Sequence, residues 1–219
     1  MTVVLADMWV TAGRPQQARR SYERALAAAT GSGEPYPRAT ADLHVGLAEL
    51  DRERNDLAGA RAHLDIAKVL AERASITERR HQWYVAGARV RAAEGDVATA
   101  MAMLDEAQAL YRPGSYPDIR PIPSVRARVQ IAAGDLDEAG RWASEHNVAL
   151  VDDVAFLHEH EQLTLVRLQL ASHARTASAY RSRATGPMPL AAALEALHRL
   201  AAGAESKRAG SLLEIGMLQ

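Results

Sequence analysis

The sequence contains no cysteine. Disulfide scaffolds and thiolate metal sites are therefore excluded, and a reducing compartment, the cytoplasm, suits the chain. Aromatic residues are scarce at 5%, with Phe156 the one phenylalanine. Alanine and leucine must fill the interior, which favours closely packed helices, because sheets draw on β-branched and aromatic residues. Neither sign of charge dominates: 26 Lys and Arg stand against 27 Asp and Glu, a net −1. That balance gives no electrostatic footprint for nucleic acid. Lysine is nearly missing, with Lys68 and Lys207 only, and neither follows a glycine, so there is no GxxxxGK[ST] phosphate loop. No apolar run approaches the roughly 20 residues of a membrane span, and residues 1–12 lack the basic start of a signal peptide. What is present, 48% hydrophobic and 24% charged residues, is the composition of a folded chain.

The positive signal is a repeat. A turn residue, four residues and an alanine recur as Gly13 to Ala18, Asn55 to Ala60, Gly95 to Ala100 and Gly134 to Ala139. The turn residues follow one another at intervals of 42 (55−13), 40 (95−55) and 39 (134−95) residues. Twelve residues before each of these alanines stands another: Ala6, Ala48, Ala88 and Ala127. Four residues after them come Tyr22, Leu64, Leu104 and Ala143, and seven after come Ala25, Ala67, Ala107 and, breaking the pattern, His146.

Two antiparallel helices per unit explain this spacing. Gly or Asn takes the left-handed conformation that ends the first helix. Asp96 and Asp135 are placed to cap the second. The small residue on each helix marks their crossing, where only a methyl group lets the axes approach, and the larger residue one turn on fills the space between successive pairs. One pair alone cannot bury its apolar face, so the pairs must stack. This order of small, turn, small, large and small residues resembles the tetratricopeptide repeat, with a period longer than that family's usual 34 or so residues.

The expected fold is all-α, an α-α superhelix, forming one helical-repeat domain over 1–219. Its pairs are predicted at about 2–30, 38–73, 77–111, 123–146 and 154–203, with a last helix over 207–219. Proline and glycine at 31–37 and 112–117 mark connectors, and Pro121 and Pro123 delay the helix that follows. Pair five opens with a long helix at 154–173, and the polar run 172–186 reads as a link. The apolar ending Leu212-Leu213-Glu214-Ile215-Gly216-Met217-Leu218 has no partner helix, so the chain reads as a section of a longer array.

Several segments carry a narrower resemblance. Gly46-Leu47-Ala48-Glu49-Leu50 leads into Glu53-Arg54-Asn55-Asp56-Leu57, with Ala60 and Leu64 after it. Gly95-Asp96 precedes Ala100 and Leu104-Asp105-Glu106-Ala107; Ala139 precedes Arg141-Trp142-Ala143. Glu159, Glu161, Leu163, Leu165, Arg167, Leu168, Leu170 and Ala171 follow, and Ser211-Leu212-Leu213-Glu214-Ile215 begins a new helix. From about residue 40 to 219 this order resembles the superhelical sensor region of MalT-like, large ATP-binding LuxR-type transcription activators. Val166, where the family has Ala, and the long link after 171 depart from it. The resemblance implies a region that binds a small-molecule inducer or a partner protein and governs self-association of the regulator. The ATPase and the DNA-binding helix-turn-helix lie elsewhere in such proteins, so this region itself is not expected to bind nucleic acid, membrane or any cofactor, or to catalyse a reaction.

Candidate chemistry is otherwise thin. In His158-Glu159-His160-Glu161 the two histidines stand two residues apart and point to opposite sides of a helix, which argues for a polar helix face, His158 sharing its side with Glu161 or Gln162, over a metal site. Trp142, beside a crossing alanine, reads as core before it reads as a stacking platform; Trp9, Trp83 and Tyr84 read likewise, although Trp83 and Tyr84 cannot both point inward. Asp152-Asp153 reads as a helix cap. The stronger functional signal is the residue after each first-helix alanine: Asp7, Glu49, Arg89 and Arg128. In tetratricopeptide arrays that position looks into the concave groove. With Arg52 and Glu53 one turn on, the expected ligand- or partner-binding face comprises Glu49, Arg52, Glu53, Arg89 and Arg128, grading from acidic to basic, with the two arginines as open donor forks.

Overall fold

In the computed structural model, residues 6, 9–10, 12–31, 37–73, 80–113, 118, 120–150 and 158–181, with 194, 195, 197 and 198, are described. Among them every regular element is helical and none is a strand. The helices are α1 (Pro15–Gly31), α2 (Pro37–Glu53), α3 (Leu57–Arg73), α4 (Arg80–Ala93), α5 (Val97–Leu110), α6 (Ile122–Ala133), α7 (Leu136–Glu145) and α8 (Glu159–Arg181). The chain divides into two compact units, Met1–Pro113 and Gly114–Gln219. Within the first, α1 packs on α2, α2 on α3 and α4, α3 on α4, and α4 on α5; within the second, α6, α7 and α8 pack on one another.

All four predicted turn residues adopt the left-handed conformation, with φ of 70° at Gly13, 59° at Asn55, 84° at Gly95 and 84° at Gly134. Each closes the same pair of hydrogen bonds. At Gly95 the Asp96 N–H donates to the Arg91 carbonyl (2.9 Å) and the Gly95 N–H to that of Ala92 (3.0 Å). At Asn55 the Asp56 N–H donates to Asp51 (2.9 Å) and the Asn55 N–H to Arg52 (2.9 Å). This six-to-one, five-to-two pattern satisfies the orphan carbonyls at a helix end. A fifth instance, not singled out by the repeat, is Asn147 at φ 51°, where Val148 N–H donates to Ala143 O at 2.9 Å.

The residue after the turn caps the next helix. The Asp96 carboxylate accepts from Thr99 N–H at 3.1 Å and that of Asp135 from Glu138 N–H at 3.4 Å. Asp56, which the repeat pattern did not mark as a cap, accepts from Gly59 N–H at 2.9 Å. The Thr99 side chain and N–H hold the Asp96 carboxyl below the usual carboxylate range.

The eight predicted crossing alanines, Ala6, Ala18, Ala48, Ala60, Ala88, Ala100, Ala127 and Ala139, are all fully buried, each at 0% exposure. The larger residues fill the gaps between pairs as expected. Tyr22 of α1 lies against Gly46 of α2, where a β-carbon would come within 2.4 Å of the ring. Leu64 of α3 packs with Ala86 and Val90 of α4. In the second unit this role falls to Trp142, which packs with Ala127, Leu136, Ala139, Leu165 and Leu168, while Ala143 sits at the edge.

One helix runs further than the sequence suggested. The expected link after 173 is helical through Arg181. No glycine or proline interrupts 172–181, Thr176 Oγ1 donates back to the Ser172 carbonyl (2.9 Å), and Arg175 reaches Asp137 of α7 (3.0 Å). Polar side chains bonded in this way are compatible with a helix. Asp7, Asp152-Asp153, the connectors at 32–36 and 114–117, and the last helix at 207–219 lie outside the described residues.

Candidate functional site

Four of the five candidate groove residues converge in the first unit. Glu49 and Arg89 stand one residue after the crossing alanines of α2 and α4, so stacking of the pairs brings them side by side. One amino group of the Arg89 fork is bonded to the Glu49 carboxylate, and the other lies 3.3 Å from Glu53 Oε1. Arg52 is bonded to Glu53 and lies 3.4 Å from Glu49. Two cations and two carboxylates thus form a closed quartet across α2 and α4. Its inner members are largely buried: side-chain exposures are 16% for Arg52, 18% for Arg89 and 22% for Glu49. Burial works against the Arg52 charge, but Glu49 and Glu53 outweigh it, so its pKa is raised.

The quartet changes what this face offers. On this face of α2 and α4 the two guanidinium groups and the two carboxylates pair with one another. Arg89 is a strut between successive pairs, with its fork turned toward Glu49 and Glu53. A double-mutant cycle with Glu49→Gln and Arg89→Gln, read by chemical denaturation, is expected to give a coupling of about 0.5–3 kcal/mol, the range for directly contacting residues. Additive single effects would show that the pair contributes nothing to stacking.

Arg128, the fifth candidate, belongs to the second unit. From α6 its Nε donates to Thr164 Oγ1 (2.8 Å) and its Nη2 to the His160 carbonyl (3.2 Å), both on α8. Around it Ser124 Oγ meets His160 Nδ1 at 2.8 Å and Thr164 Oγ1 donates to the His160 carbonyl at 2.7 Å. Ser124 and Thr164 are fully buried. His160 therefore belongs to the packing of α6 on α8, while His158 bonds Glu161 at 3.1 Å on the exposed side of the helix. Among the described residues no His, Asp and Glu cluster is arranged to hold a metal ion, and no helix is long and apolar enough to cross a membrane.

A feature without a counterpart in the repeat pattern is a cavity of about 910 Å³ framed by α2, α3, α4 and α5. Its apolar wall includes Val45, Leu64, Trp83, Tyr84 and Met103, and its charged lining is Asp42, Arg61, Asp65, Lys68, Glu72, Arg80 and Arg91. Its volume falls within the range of small-molecule sites, and its lining is more charged than most of them. Trp83 and Tyr84, adjacent in sequence, share this wall as a T-shaped pair with ring centroids 5.0 Å apart. The Trp83 indole N–H is anchored on the Leu64 carbonyl at 2.8 Å. Arg80 lies over the Tyr84 ring at 5.9 Å, and Glu94 holds Arg61 (3.0 Å) and Arg91 (3.2 Å). The available signal in the sequence was the Trp83-Tyr84 pair itself, whose two rings cannot both enter a core.

The family model for the MalT-like TPR region matches residues 1–219, the whole chain. No curated protein and no solved structure matches it.

Proposed function

We propose, from the premise that this chain belongs to the MalT-like TPR region family, that it is the sensing region of a LuxR-type transcription activator, where an inducer or a partner protein binds and self-association is set. The match to the MalT-like TPR region along the full length, residues 1–219, supports this reading. The cavity beside Trp83 and Tyr84 suits a small-molecule inducer. The face carrying Glu49, Arg52, Glu53 and Arg89 on α2 and α4 suits a partner that replaces one side of the quartet with its own carboxylates or guanidinium groups. Binding, not catalysis, is the work assigned to both surfaces, and the cytoplasm is the compartment.

A thermal-shift screen of metabolites on the whole chain tests it. An inducer present at 100 times its Kd adds about 2.7 kcal/mol, which for a chain of this size raises the melting temperature by roughly 5–10 °C. Ala71→Trp, which fills a portion of the cavity wall, is expected to abolish that shift. If the reading frame that encodes this chain carries neither an ATPase before it nor a helix-turn-helix after it, the sensor reading gives way to that of a free-standing scaffold binding a peptide or partner protein.

A further inference from the structure

A chain of four polar side chains crosses the first three helices. His44 and Asp51 lie seven residues apart on one stripe of α2, two turns along. His63 of α3 sits between them: its Nδ1 is 2.8 Å from His44 Nδ1, and its Nε2 is 3.6 Å from Asp51 Oδ2. The two imidazole centroids are 5.0 Å apart, inclined at 38°. The other Asp51 oxygen is bonded to Arg19 of α1. Asp51 is buried. Space for it is left by Gly59, where a β-carbon would come within 3.1 Å of Asp51 Oδ2. The relay thus ties pair one to pair two and α2 to α3.

Its proton inventory is restricted. Two facing Nδ1 atoms at 2.8 Å share one hydrogen: one ring donates and the other accepts. With Asp51 ionised, His63 turns an Nε2–H toward it and accepts from His44. One added proton fits, because the resulting imidazolium still donates across the same contact. A second proton does not fit, since it sets two N–H donors against each other and places two cations side by side.

We propose that His44, His63, Asp51 and Arg19 form a proton-responsive joint, which holds α2 on α3 while the histidines share a single Nδ1 hydrogen and releases it when both are protonated. The surrounding charges are accounted for helix by helix. From α1, Arg19 and Glu23 face the relay, with Glu23 3.8 Å from Arg19; Asp51 does so from α2, and Asp56 from the turn before α3. On α4 the guanidinium groups of Arg89 and Arg91 are turned to Glu49, Glu53 and Glu94. Loosening α3 also reaches the cavity, because Leu64, next to His63, carries the carbonyl that anchors Trp83.

Burial, with the neighbouring His63, lowers the pKa of His44 below 6.5; burial lowers that of His63, with Asp51 opposing. A histidine depressed in the folded state costs nothing above its unfolded pKa. It removes stability progressively as pH falls below that value, because the unfolded chain then binds the proton more readily. The window therefore opens near pH 6.5 and extends downward.

The test is the melting temperature of the whole chain between about pH 7.5 and 5, compared with His44→Gln/His63→Gln. The wild type is expected to lose several degrees more than the double variant across that range. An equal loss in both assigns the acid sensitivity to other groups and overturns the joint. Should the double variant not fold, imidazole resonances of the wild type decide instead. Apparent pKa values for His44 and His63 below 6.5, with unlike tautomers at neutral pH, support the joint. Two independent titrations at or above 6.5 overturn it.

Discussion

Trp142→Ala is expected to cost about 3–5 kcal/mol, the range for removing a buried tryptophan or phenylalanine, and to melt the α6–α7–α8 unit. Trp142 is 5% exposed and is the largest side chain of a core otherwise built from Ala127, Leu136, Ala139, Leu165 and Leu168. Ala127 and Ala139 carry only a methyl group and cannot reach into the hole, and Leu136, Leu165 and Leu168 can close it only in part, so much of the cavity cost is felt. Its indole nitrogen is buried and makes no hydrogen bond among the described residues. Trp142→Phe therefore loses volume but no polar partner, and should cost less than half as much. Chemical denaturation followed by far-ultraviolet circular dichroism separates the two variants. Equal and small losses in both would show that Trp142 is not a keystone of this core.

The opposite manipulation, adding volume at a crossing, is the second large effect. Ala100→Leu and Ala139→Leu are each expected to destabilise by about 1–3 kcal/mol or more, the cost of overpacking. Both side chains are at 0% exposure, and in each pair the other helix carries a fully buried alanine of the repeat, Ala88 and Ala127. A leucine there must push apart a pair of helices whose short connection, at Gly95 or Gly134, fixes their spacing. Because the two alanines lie in different compact units, their effects should add. An unchanged melting temperature for either would remove that alanine from the crossing.

The helix pairs were legible because their signals are local. A left-handed residue is favoured as glycine or asparagine, and a close crossing as a small residue such as alanine, whatever surrounds them; hence the agreement at Gly13, Asn55, Gly95, Gly134 and all eight alanines. Positions of the charged residues were legible too, since register puts Glu49 and Arg89 in equivalent places. Their chemistry was not. Arginine reaches several ångströms beyond its backbone, and whether its fork meets a ligand or a carboxylate on the next helix depends on which residue that helix supplies one turn away. Glu53 decided this for Arg89, and Thr164 for Arg128, thirty-six residues along the chain. The His44–His63 contact was hidden for the same reason. The run after 171 misled differently: its polar residues look like a link, but Thr176 donates back to the Ser172 carbonyl within α8 and Arg175 reaches Asp137 of α7.

The methyl contacts at the crossings have a mechanical consequence. A methyl pressed against a methyl has no torsion to turn and no alternative position to take, so each hairpin behaves as a stiff plate. Between α2 and α4 the plates are joined partly by long side chains, the Arg89 and Arg52 forks with their two carboxylates. A load applied to the first unit therefore falls on the seam between α2–α3 and α4–α5 before it reaches the crossings, and is shared there by the quartet and by Leu64, Ala86 and Val90.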